Sequence, residues 1–169
     1  MRSRLAALLA LLVVPVSTSL CQSPPRPTVV MQANPLGFLQ FGPTAEIEKF
    51  TTPTVSLATG VRIPTLGLLT HVIDDQIGFA WTIMGSVRFY LDSSAAPRGW
   101  WLAPRIELGR AASGSQTYLV KGAAGEVGHR WIRQNGLAIS AGAMAGAFKS
   151  ESGLDGAFVM GVLSLGRAR

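Results

Sequence analysis

Apolar and polar side chains alternate with a period of two along most of the chain after residue 35. The clearest stretch is 75–92. Its odd positions, Ile77, Phe79, Trp81, Ile83, Gly85, Val87, Phe89 and Leu91, are mostly bulky and apolar. Its even positions, Gln76, Gly78, Ala80, Thr82, Met84, Ser86, Arg88 and Tyr90, are small or polar. Successive side chains of a strand point to opposite faces, so this is a strand with two unlike faces. The same split recurs at 39–48, 55–63, 100–109 and 137–148, and less cleanly at 117–132 and 156–167. Turn-forming clusters separate the segments: TTP at 51–53, SSAAPRG at 93–99, SGS at 113–115, QNG at 134–136 and SESG at 150–153. No stretch of helical length carries a capped 3.6-residue repeat. The pattern predicts about seven antiparallel strands, with 28–33 (TVVMQA) as a short eighth.

Charge decides which face is inward. Glu46, Glu48, Arg62, Arg88, Arg105, Glu107, Glu126 and Arg130 all fall on the polar faces, four acids against four arginines. The opposite faces are almost free of charge, with Lys121 and His129 as exceptions. A solvated face needs no such balance. A narrow barrel interior does, because an unpaired buried charge is costly. Small residues on the same faces, such as Ala58, Gly60, Ala80 and Gly142, leave room for arginine side chains. The bulky apolar faces would then meet lipid, and eight strands enclose an interior that side chains fill. The expected fold is an all-β, antiparallel, up-and-down transmembrane barrel of about eight strands, plugged by Arg/Glu pairs. Alternation alone also fits a soluble sandwich, or a lipocalin-like barrel whose apolar faces turn inward around a lipophilic ligand.

The aromatic residues cluster near strand ends. With both termini on the periplasmic side, the ends there carry Phe50, Phe89, Tyr90, Trp100, Trp101 and Trp131 as one girdle. The other ends carry Phe79, Trp81, Tyr118, Phe148 and Phe158 as a second. Aromatic rings with a polar tip suit the two membrane interfaces. On this numbering 64–76, 110–117 and 149–156 are external loops, and 50–53, 92–99 and 133–136 are inner turns.

The N-terminal segment reads as an address. Arg2 and Arg4 precede an uncharged apolar run at 5–16, and Ser17, Thr18 and Ser19 follow. That is the layout of a secretory signal peptide, 1–21, and the run is too short for the ~20 residues of a membrane-spanning helix. Cys21 follows Leu20 where lipoproteins carry a small residue, so loss with or just after the leader is favoured over lipidation. Residues 22–34 form a Pro-rich linker and the short first strand, and 35–169 form the barrel. The single Cys excludes an internal disulfide and a Cys-based zinc site. The net charge is +6, yet Arg2, Arg4, Arg167 and Arg169 lie at the ends and no basic run occurs, which argues against a nucleic-acid partner.

The chain resembles small bacterial outer-membrane β-barrel proteins, closest to an uncharacterised family with an N-terminal NPLG strand motif. The residues that carry this are Asn34, Pro35, Leu36 and Gly37, then Glu48, Lys49 and Phe50, with VRFYLD at 87–92 and GEVGHRW at 125–131. The likeness covers roughly 30–167 and marks strands, not chemistry. It implies an outer-membrane location, the lipid bilayer and the barrel assembly machinery as partners, and no catalytic residues. The chain departs from such barrels in ending LSLGRAR, without a terminal aromatic residue.

Catalytic chemistry finds little support. His71 beside Asp74 and Asp75 reads as an ordinary loop histidine, and His129 as structural. Their separation makes no metal pair, and no P-loop, GxGxxG or GxSxG occurs. No cofactor or metal is expected. The function expected is structural or interactive; a narrow pore is the alternative if the interior pairs part, and a soluble periplasmic lipocalin-like binder is another.

Overall fold

The computed structural model describes residues 27–73, 77–92, 97–113, 115–153 and 155–169. The expected leader with Cys21, and residues 22–26, lie outside them. The period-two pattern becomes eight strands: β1 (Val29–Asn34), β2 (Thr44–Phe50), β3 (Val55–Arg62), β4 (Ile77–Tyr90), β5 (Gly99–Ser113), β6 (Gln116–Ile132), β7 (Leu137–Ser150) and β8 (Asp155–Ala168). Each strand pairs antiparallel with the next, and β1 pairs with β8, so the sheet closes on itself. The fold is the all-β, up-and-down, eight-stranded barrel. It begins at Val29, within the segment expected to hold a linker or a short first strand.

The termini and the turns after β2, β4 and β6 share one end, called here the inner end. The connections after β1, β3, β5 and β7 share the outer end. Strand lengths differ sharply: β1, β2 and β3 have 6, 7 and 8 residues, whereas β4 to β8 have 14 to 17. On the β1–β3 side, therefore, the outer half of the wall is not built from strands. A 3-10 turn at Pro35–Leu39, another at Pro64–Leu66 and the short helix α1 (Leu68–Ile73) take its place.

This corrects three expectations. The segment 39–48 is strand only from Thr44, 64–76 holds a helical turn, and the loop expected at 110–117 is paired strand up to Ser113 and again from Gln116. Pro35 and Pro64 open the two 3-10 turns, Gly42 has φ +94°, and Pro43 has no N–H to give a ladder. Phe41 accordingly leaves the outer face and packs against Phe158, with ring centroids 6.0 Å apart. The two segments are locked by backbone contact. Leu69 N–H donates to the Gln40 carbonyl at 3.1 Å, and Ile63 N–H to that of Pro43 at 3.2 Å. A Cβ on Gly42 would sit 2.1 Å from the Ile63 carbonyl oxygen.

The shortened strands leave backbone groups of β4 and β8 without a ladder partner, and a bare strand edge is unfavourable, most of all in hydrocarbon. Side chains cap them. The Gln40 amide donates to the Gly161 carbonyl at 2.8 Å and accepts from its N–H at 3.0 Å. Thr65 Oγ1 accepts from Ala80 N–H at 3.4 Å, and Asn34 Oδ1 accepts from Leu163 N–H at 3.4 Å. A second irregularity lies in β5. Its pairing with β4 shifts register between Ile77↔Ser113 and Ala80↔Ala111 at the outer end, whereas Ser86↔Arg105 and Phe89↔Leu102 keep one register past Pro104.

Candidate functional site

Strict alternation aims one face of every strand into the barrel. Even-numbered residues point in on β1–β4 and β6–β8, and odd-numbered ones on β5. The outward positions Met31, Ile47, Leu57, Ile83, Ile106, Leu108, Val159 and Leu163 are all exposed. Inside, Glu48, Arg88 and Arg130 are fully buried, and Glu46, Arg62, Arg105 and Glu126 are buried. The protein is thus inside-out relative to a water-soluble barrel: apolar wall, ionic core.

The eight charged residues named from the sequence form one connected network. Arg88 reaches Glu46 at 2.5 Å and Glu48 at 2.6 Å. Arg130 binds Glu48 at 2.7 Å. Arg105 bridges Glu46 and Glu126, the latter at 2.8 Å. Arg62 binds Glu107 at 2.9 Å, and Arg105 links to it at 4.0 Å. Four positive and four negative groups meet with no surplus. Glu48 is saturated: one oxygen receives Arg88 and Arg130, and the other receives Ser56 at 2.5 Å and Tyr90 at 2.8 Å. Two oxygens can accept about four hydrogen bonds, so nothing remains unmet.

Sequence reasoning missed several members of this network. Gln32 on β1 donates to Glu46 at 3.2 Å and accepts from Arg130 and Ser140 at 3.2 Å each. Tyr90 accepts from Arg130 at 2.6 Å while donating to Glu48. The Arg88 guanidinium lies 4.6 Å from the centre of the Trp101 ring. At the outer side of the network, Arg62 and Arg105 each place one nitrogen on a methionine sulfur, Met160 at 3.4 Å and Met84 at 3.3 Å.

The inner aromatic girdle needs correction. Phe89, Trp100 and Trp131 do project outward near the inner end. Tyr90 and Trp101 point inward, 4% and 1% exposed, and Phe50 packs on Tyr90 with ring centroids 5.2 Å apart. These three close the inner end of the core instead. The reason is parity: Tyr90 and Trp101 sit on the polar faces of their strands, and proximity to a strand end does not override alternation. His129 takes their place outside, its ring 5.1 Å from Trp100 and 4.4 Å from Trp131. At the outer end Phe79 and Trp81 face out, whereas Phe148 and Phe158 line a cavity inside.

Trp101 lies over Gly128, its partner across the β5–β6 ladder; a Cβ there would come within 2.5 Å of the indole. Gly128→Ala is therefore expected to push the indole off Arg88 and cost about 1–3 kcal/mol. Tryptophan emission and the urea midpoint of the folded barrel in detergent report both effects. Unchanged emission and midpoint would show that the ring does not depend on the missing Cβ.

Above the network, at the outer end, is a cavity of about 220 Å³. Arg62, Thr82 and Glu107 are at its floor, and Phe41, Phe148 and Phe158 are among its walls. His71 is elsewhere: on α1, its Nε2–H donating to the Thr65 carbonyl at 2.8 Å. Asp74 and Asp75, its suggested partners, lie outside the described residues. Among the described residues no group of three or more metal-ligating side chains comes together. Comparison with protein-family models, curated proteins and solved structures finds no match to the chain.

Proposed function

We propose that this chain is an outer-membrane β-barrel protein, exported by the leader at 1–21, with a structural or interaction role and an interior closed to solutes. The observation that carries the reading is the inversion of polarity. Burying seven charges and half-burying an eighth while exposing a wall of Met, Ile, Leu, Val and Trp is unfavourable in water and favourable in lipid. The height of the wall supports it. Trp131 and Lys121 both face outward on β6, near opposite ends. Ten steps at ~3.4 Å, tilted by ~40°, give an apolar belt roughly 26 Å tall, against the ~25 Å band of such barrels. Outward charges lie beyond it, with Lys49 and Arg167 at the inner rim and Lys121, Lys149 and Asp155 at the outer. The barrel assembly machinery would insert the chain, and the network would leave the interior without a water path.

The expected result in cells is recovery of the protein in washed membranes, with a gel mobility that changes on boiling. In planar bilayers the wild type is expected to be silent. A soluble periplasmic band that ignores heating would overturn the membrane reading. A steady ionic current from the wild type would overturn the closed interior and favour a pore.

A further inference from the structure

The outer-end cavity has no part in the ionic network or in the apolar wall. It lies between the ionic network and the segments that replace the outer halves of β1–β3, and Phe41, Pro64 and Thr70 from those segments form part of its wall. Val120, Phe148, Phe158, Ala80 and Ala124 add to its apolar surface. Two buried polar groups lining the cavity have no hydrogen-bond partner in the protein: the Thr70 hydroxyl and the Nε–H of Arg62. Both residues are more than nine-tenths buried. A buried donor left unmet is costly, and an unmet group in a cavity wall marks where a bound molecule places its own polar atom.

Size and charge narrow the ligand. A cavity of 150 Å³ accommodates a six-carbon ring, so about 220 Å³ suits a chain of roughly eight carbons. That is below the ~300 Å³ at which drug-sized sites begin. The network beneath is already balanced, four against four, and the floor contains a carboxylate, Glu107, beside Arg62. A charged end group beside the Arg62–Glu107 pair would upset that balance.

We propose that this cavity binds one uncharged single-chain amphiphile. Its hydrocarbon tail lies among Phe41, Val120, Phe148 and Phe158, and its hydroxyl, ester or amide end meets Thr70 and Arg62. The chain is either one tail of a membrane lipid or a free molecule of the same chemistry. The inference stands apart from the membrane reading, since a soluble barrel with this cavity would bind the same class.

The test uses the full mature chain, refolded and checked by its heat-dependent mobility, in lipid nanodiscs with isotope-labelled alanine and valine methyl groups. It is titrated with 1-octanol, octane and octanoate. Octanol is expected to shift the Val120, Ala80 and Ala124 methyl signals saturably, and octanoate to bind at least tenfold more weakly. Val120→Trp fills the cavity and is expected to weaken octanol binding tenfold or more while the mobility shift is kept. Thr70→Val is expected to shrink the preference for octanol over octane several-fold, a change that mere support of the wall would not produce. Nanodiscs whose lipid carries a spin label at the tail end separate the sources. Broadening of Val120 and Ala124 without octanol identifies a membrane lipid tail; sharp signals that octanol then shifts identify a free amphiphile. Neither broadening nor a saturable shift would overturn the proposal. So would octanol binding undiminished in Val120→Trp, or octanoate binding as tightly as octanol. A folded, heat-shifting barrel that fails these tests keeps its membrane reading; a soluble protein that passes them keeps its cavity.

Discussion

Arg88→Ala is expected to be among the most damaging single changes in this barrel. Arg88 is fully buried and holds Glu46 and Glu48 together, with Trp101 against its other face. Removing it leaves four carboxylates facing three arginines. Breaking one partner out of a buried ionic cluster costs about 3–5 kcal/mol, because the remaining charge has neither water nor a counter-ion. Each glutamate retains one arginine, Arg105 for Glu46 and Arg130 for Glu48, which places the expected loss near the lower bound. The urea midpoint of the folded barrel in detergent micelles measures it. Adding Glu46→Gln to the same chain restores the charge balance and is expected to recover a large share of the loss, which a double-mutant cycle reads directly. The vacated volume sits beside excess negative charge, so planar bilayers are expected to pass a small cation-selective current. An unchanged midpoint together with a silent bilayer would overturn the role given to the network.

Gly42→Val is expected to act elsewhere and nearly as strongly. Gly42 has φ +94°, a conformation that a β-branched residue adopts only under strain, about 1–3 kcal/mol. The new Cβ would also sit 2.1 Å from the Ile63 carbonyl oxygen, which already accepts from Leu66 N–H at 3.1 Å. The segment at 35–43 is expected to come away from 63–73, freeing Gln40 from Gly161 and exposing the outer part of the β8 edge. The long strands β4–β8 do not depend on this contact. The expected pattern is a retained heat shift, with protease cleavage near Phe38–Phe41 and faster amide exchange at Gly161 and Leu163. If cleavage and exchange match the wild type, the glycine contact is not what holds the two segments.

The barrel was largely legible in the sequence because strand alternation is a local property. Ile83 against Thr82 and Met84, or Ile106 against Arg105 and Glu107, already tells which side chains share a face. Four arginines against four glutamates on one face then identify that face as the interior. Partner choice was not legible. Arg105 joins Glu46 across the barrel, and only the register of the closed sheet brings them together. Neutral members were missed for a related reason. Gln32, Ser56 and Ser140 carry no charge to count, so nothing local distinguishes them from solvated polar residues. Tyr90 and Trp101 could have been placed correctly, since their own strands' alternation turns them inward. The outer-end insert was hidden by Gln40 and Phe41 continuing the alternation of β2 into what is a turn. Gly42–Pro43 was the signal that the strand starts later.

The closure of the sheet fixes an order in time. Seven of the eight pairings join strands adjacent in the chain, and each can form as soon as its hairpin exists. The eighth joins Val30 to Ala168, Met31 to Arg167, Gln32 to Gly166 and Ala33 to Leu165 across nearly the whole described chain. The entropy of ring closure therefore falls on this one short pairing. Gln32 contributes hydrogen bonds to Arg130 and Ser140 from the far side of that junction, so the interior is completed in the same event. Until the final strand arrives, β1 and β8 are two open edges of an otherwise paired sheet. Synthesis from the N-terminus makes the first strand wait for the last.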